Sequence, residues 1–68
     1  MNKKAIGERI RLIRLSKGMT LEEFGKLFNT SKGVVSRWEN GKGLLRPERL
    51  KKLADISGKS VEYILYGK

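Results

Sequence analysis

The chain of 68 residues carries sixteen Lys and Arg against seven Asp and Glu, a formal charge of +9, and has no cysteine and no histidine. A chain this short buries only about 60% of its unfolded surface and has no room for a large enclosed active site. Without Cys or His it also lacks disulfides, the usual zinc ligands, a thiol nucleophile and the commonest general base. Positive charge in such excess goes beyond what solubility asks for and points to a polyanion; nucleic acid is favoured over a membrane, because no apolar run approaches the roughly 18 residues of a spanning helix. No leader-type apolar region with a cleavage site comes after the N-terminal lysines, so the chain is expected in the cytoplasm.

Between Lys3 and Lys17, Ile6, Ile10 and Ile13 recur at helical spacing with Lys4, Glu8 and Arg11 between them, and Gly18 comes next as a stop signal. This predicts a first helix, with Asn2 as its N-cap. Leu12 and Leu15 lie off the Ile stripe and widen the apolar surface, as more core or as a partner contact, with core favoured.

Thr20 opens the second helix with a capping box, Thr20-x-x-Glu23, and Met19 and Phe24 form the matching hydrophobic staple. Leu21, Phe24, Leu27 and Phe28 carry the apolar face to Asn29, a residue type that tolerates the left-handed conformation of a sharp reversal. Ser31 then caps a third helix whose inward positions are Val34 or Val35 and Trp38, and Gly41 closes it. Two helices this short, with so little chain between them, must cross steeply. Gly25 would let the two backbones approach near that crossing, which accounts for a glycine that otherwise costs a helix interior about 1 kcal/mol.

The stretch from Gly41 to Arg46 has glycines and no period and reads as a loop, after which Pro47 suits the first turn of a helix. Leu50, Leu53, Ala54 and Ile56 form its stripe, and Gly58 ends it. Ser60 caps a last short helix, Val61 to Tyr66, anchored by Ile64 and Leu65. The expected fold is all-α, a compact bundle of about five short helices. Leu65 and Tyr66, with Leu44 and Leu45, are the apolar residues available for self-association. Gly58-Lys59-Ser60 superficially suggests the end of a phosphate-binding loop, but Leu53 stands where that motif needs glycine. The carboxylates show no metal-loop pattern and no paired acid and base, so no metal site and no catalysis are expected.

With these elements in order, the chain resembles the DNA-binding domain of the lambda repressor and Cro family of bacterial and phage regulators, the XRE type, over nearly its whole length. Ile6, Gly7, Arg9, Ile10 and Arg14 resemble that family's first helix. Thr20, Glu23, Phe24, Gly25, Val35, Ser36, Trp38, Glu39 and Gly41 resemble its helix-turn-helix, and Pro47, Leu50, Leu53, Ala54, Tyr63, Ile64 and Gly67 its closing helices.

The resemblance implies that residues 1–68 form one helix-turn-helix DNA-binding domain, with the helix of residues 31–40 in the major groove and the preceding helix crossing the phosphate backbone. It points to Lys32, Gly33, Ser36 and Arg37 for the base edges; Arg37 has the fork that guanine accepts. It points to Thr20, Leu21, Asn40, Lys42 and Arg46 for phosphates, with Asn40 equally suited to cap its own helix. Leu21 departs from the family, which often has Gln there, and Gly33 has no side chain to read with. Arg14 and Glu39 are implied to form a structural ion pair, and Trp38 belongs to the core rather than to a base stack. Lys51 and Lys52 read as a solvated face.

The function that the resemblance implies is a sequence-specific regulator of transcription on double-stranded DNA, a repressor of phage or bacterial origin. It would be a homodimer on a pseudo-palindromic operator, nucleoid-associated in the cytoplasm, with no cofactor and no small-molecule substrate. The alternative is a protein-binding module, an antirepressor or co-regulator, on the same scaffold. Leu21 and Gly33 keep that open, and the charge of +9 speaks against it.

Overall fold

Short polar side chains decide where most of the helices begin. In the computed structural model, which describes residues 2–68, α1 (Lys3–Ser16), α2 (Leu21–Leu27), α3 (Lys32–Glu39), α4 (Pro47–Ser57) and α5 (Val61–Tyr66) succeed one another. Asn2 Oδ1 accepts from the Ala5 N–H at 3.1 Å, Ser31 Oγ from Val34 at 3.3 Å and Ser60 Oγ from Tyr63 at 2.9 Å. At α2 both halves of the capping box are made: Glu23 N–H donates to Thr20 Oγ1 at 3.1 Å, and Thr20 N–H to Glu23 Oε1 at 2.9 Å. Caps of this kind contribute on the order of 1 kcal/mol each. α4 has no side-chain cap and relies instead on Pro47, whose missing N–H is no loss in a first turn.

One cluster holds the helices together: Ile6, Ile10 and Ile13 from α1, Phe24 and Phe28 from α2 and its cap, Val35 and Trp38 from α3, Leu53 from α4 and Ile64 from α5. Its aromatic centre is ordered by ring geometry. Phe24 and Phe28 have centroids 5.2 Å apart, and Phe28 meets Trp38 edge to face at 5.5 Å and 87°. Met19, Leu21, Leu27 and Val34 pack around it half-buried.

Two glycines set the approach of the backbones. A Cβ on Gly7 would stand 2.5 Å from the carbonyl oxygens of both Trp38 and Glu39, so α1 lies on the end of α3 with no space for any side chain. A Cβ on Gly25 would meet the Thr30 carbonyl oxygen at 2.8 Å. It would also meet the Ser31 carbonyl carbon and oxygen at 3.2 Å, so Gly25 admits the end of the turn and the N-cap of α3, where the two backbones approach as the sequence suggests. The turn folds back on the Gly25 carbonyl, which accepts from the N–H groups of Phe28 (3.0 Å) and Thr30 (2.9 Å), with Asn29 between them at φ 58°.

Leu12 and Leu15 correct the sequence expectation. They are 63% and 51% exposed, not core. At about 100° per residue, Leu12 lies some 200° round the helix from Ile10, and Leu15 the same from Ile13. Each points away from the cluster, and among the described residues no helix covers them. Leu65 packs against the core, as expected of an anchor of α5, and Leu45 does so too; this takes both from the residues available for self-association and leaves Leu44 and Tyr66 exposed. α5 is tied to α1 by Arg9, whose Nη1 donates to the Ile64 carbonyl at 3.0 Å.

Candidate nucleic-acid interface

α3 is pinned from behind. Val35 is fully buried and Trp38 is 4% exposed, and on the same inner side Glu39 turns toward α1. There Arg14 grips the carboxylate with both arms of its fork, Nε to Oε2 at 2.6 Å and Nη2 to Oε1 at 3.1 Å, while Nη1 donates to the Met19 carbonyl at 2.9 Å. One guanidinium thus joins α1, the start of the helix-turn-helix and the end of α3. The side chains are only 12% and 7% exposed, so each charge depends on the other. The bond to Glu39 raises the Arg14 pKa above its usual value; burial pulls the other way and the charge of Glu39 adds to the rise, so the guanidinium stays ionised.

The outward side of α3 is different in charge. From Asn29 to Arg46 the chain has four cations, Lys32, Arg37, Lys42 and Arg46, and one carboxylate, Glu39, which Arg14 has already taken. Lys32, Gly33 and Arg37 are exposed and Ser36 is half-buried. Gly33, Ser36 and Arg37, at spacings of three and four, share a face.

Two pairs of hydrogen bonds organise that face. Arg37 Nη2 donates to the Lys42 carbonyl at 3.3 Å, and Lys42 N–H returns to the Arg37 carbonyl at 2.8 Å. The loop after α3 therefore curls back and sets Lys42 beside Arg37. Asn40 Nδ2 donates to the Ser36 carbonyl at 2.8 Å and also meets Ser36 Oγ at 3.3 Å. The side-chain amide nitrogen is the part of Asn40 able to donate to a phosphate, and it is turned back on Ser36 to cap the helix. Of the two roles open to Asn40, capping is the one the free chain displays.

At the start of α2, Leu21 lies on the apolar face as its spacing suggests. Leu21 is half-buried with its side chain on the core, so only its N–H is available to a phosphate. Thr20 has its N–H committed to Glu23, which leaves its hydroxyl hydrogen. Glu22 and Glu23 stand in the first turn, where they complement the helix dipole themselves and repel a second anion.

Lys42 and Arg46 are exposed in the loop of residues 41–46, and Arg46, although it precedes α4, makes no capping bond with its side chain. Arg49 is the cation whose setting its sequence neighbours reveal least. It stands in a run of charged residues, yet it lies half-buried with its guanidinium 5.7 Å over the Trp38 ring. Lys26, Arg49 and Lys52 rim an open depression between α2 and α4 that also includes Glu48. Among the described residues no three His, Cys, Asp or Glu side chains gather as metal ligands would, and no helix is long and apolar enough to cross a membrane.

The family model described as Helix-turn-helix matches residues 10–64, spanning the whole of α2 to α4, the second half of α1 and most of α5. The chain belongs to the helix-turn-helix family of DNA-binding transcription regulators. Solved structures of this helix-turn-helix fold agree. The clp gene regulator ClgR from Corynebacterium glutamicum is 31% identical, with a TM-score of 0.76 over 96% of this chain and 84% of that one. A second ClgR crystal structure gives a TM-score of 0.80 at the same identity, covering 96% and 69%. The DNA-binding domain of BldD is 28% identical with a TM-score of 0.74, covering 93% and 92%. A search of curated proteins returned no match. In the helix-turn-helix frame α2 and α3 are the two helices of the motif, residues 28–31 its turn, and the Arg14–Glu39 pair the brace behind it.

Proposed function

We propose that this helix-turn-helix chain reads a specific sequence in double-stranded DNA, with α3 in the major groove and α2 across the backbone, and represses transcription from that site. One observation carries the proposal. The outward side of α3 and its following loop expose four cations, and the single carboxylate among them is turned inward and neutralised. The names of ClgR, a gene regulator, and BldD, a DNA-binding domain, support it.

Arg37 would exchange its exposed bond to the Lys42 carbonyl for a bidentate pair to guanine, with Lys32 and Ser36 reading beside it. Lys42 and Arg46 would hold phosphates, joined by the Thr20 hydroxyl and the Leu21 N–H. The regulator would act in the cytoplasm as a homodimer on a pseudo-palindrome with half-sites about one turn, roughly 34 Å, apart. Exposed Leu44 and Tyr66 are the remaining candidates for self-association. Such a role requires no cofactor, metal or small-molecule substrate, and no catalysis.

The test is a titration of a labelled random duplex at rising salt, then selection of bound sequences from a randomised pool. Binding should weaken by orders of magnitude between about 50 and 200 mM salt. The selected pool should converge on an inverted repeat. A chain that binds no duplex even at low salt overturns the proposal.

The exposed Leu12 and Leu15, flanked by Glu8 and Arg11, favour a second role, in which α1 engages another protein while α3 holds DNA. Leu12→Gln should leave DNA affinity and stability untouched and relieve repression; unchanged repression would remove this role.

A further inference from the structure

Among the described residues nothing requires position 33 to be glycine. Gly18, Gly41, Gly58 and Gly67 stand at positive φ, and Gly7 and Gly25 face backbone that leaves no space for a Cβ. Gly43 lies outside any helix. Gly33, by contrast, sits in the first turn of α3 with ordinary helical φ, exposed. The nearest atom a Cβ would meet is Ser31 Oγ at 3.8 Å, an ordinary contact. Any residue fits there, and alanine would hold the helix better, because glycine surrenders more conformational freedom on folding.

We infer that Gly33 is where the backbone of α3 itself comes against DNA, and that a side chain there would hold the helix off the groove. The inference rests on the proposed function and adds a seating point to it. The side chains sharing this face, Ser36 and Arg37, have two quite different lengths. A short serine, half-buried and drawn toward Asn40, can reach a base edge only if the helix lies deep, and a bare backbone at position 33 permits that depth. Gly33 then contributes to affinity through the absence of atoms, which explains a glycine at a position where a reading side chain is expected.

The experiment uses the full chain with Gly33→Ala and Gly33→Leu, and as probe the duplex selected by the wild-type chain from a randomised pool. Gly33→Ala should raise the melting temperature by about 2–5 °C while weakening binding to that duplex about tenfold or more. Gly33→Leu should weaken binding further without loss of fold. Because no charge is removed, the salt dependence should keep the wild-type slope. A more stable protein that binds worse is a combination that a merely structural glycine does not produce. Binding by both variants within twofold of wild type, or a lowered melting temperature for Gly33→Ala, overturns the inference and leaves the proposed function standing. A wild-type chain that binds no duplex overturns both.

Discussion

The two sides of α3 obey different constraints. On the inner side every group has a partner within the chain: Val35 is in the core, Trp38 lies against Phe28 and under Arg49, Glu39 is held by Arg14, and the Trp38 and Glu39 carbonyls lie against Gly7. On the outer side, Lys32 and Gly33 touch almost nothing, and Arg37 has one long exposed bond to a loop carbonyl. Eight residues of one helix thus hold both the most and the least constrained positions around the motif. Inner substitutions should register as lost stability at unchanged intrinsic affinity, and outer ones as lost affinity at unchanged stability.

The largest break of that contrast is Trp38→Ala, which removes the edge of the aromatic cluster. It should destabilise the fold by about 4 kcal/mol, enough to unfold most molecules of so small a domain, as read by chemical denaturation. Gly7→Ala comes next. The added methyl must push α1 off the end of α3, at about 3 kcal/mol, and the melting temperature should fall although alanine is the better helix former.

Glu39→Gln leaves the Arg14 guanidinium without its counter-charge in a nearly closed site and should cost about 2 kcal/mol. The double variant Arg14→Met with Glu39→Gln should recover part of it; additive losses in a double-mutant cycle would deny the pair its bracing role. On the outer side, Arg37→Ala should leave melting unchanged and cost about 1–3 kcal/mol on the selected site, with relaxed discrimination at one base pair. The smallest effect belongs to Lys42→Ala, which should weaken all duplexes alike by under about 1 kcal/mol and reduce the salt slope by about one unit. Equal losses for Arg37→Ala on selected and random duplex would take base reading away from Arg37.

α1 repeats the contrast without an evident ligand, and it marks the limit of local patterns. Its Ile stripe is visible from spacing and is buried as expected. Leu12 and Leu15 are as apolar as the isoleucines, and composition argues for burying them too. Whether a second apolar face is covered depends on the presence of another helix, and that information lies outside the helix itself. For the interface the division is similar. That a cationic helix with a turn before it stands at residues 31–40 is legible from charge, caps and the resemblance, whereas the internal bonds of Arg37 and Asn40 are not. Asn40 at i+4 from Ser36 suits capping and phosphate binding equally well, and the choice depends on the path of the loop behind it.

The sequence alone determined the features that depend on near neighbours in the chain. These are the start of each helix at Asn2, Thr20, Ser31, Pro47 and Ser60, the capping box, the left-handed turn at Asn29, the Ile stripe and the excess of positive charge. Each is a relation over at most a few residues, where backbone geometry leaves little choice. Only the tertiary structure decided what lies against what: that Gly7 admits the end of α3, that Arg49 covers Trp38, that Leu12 and Leu15 stay in water, and that among the described residues none crowds Gly33. Those outcomes depend on surfaces brought together from distant parts of the chain. Packing such surfaces is a property of the whole bundle, which no local pattern encodes.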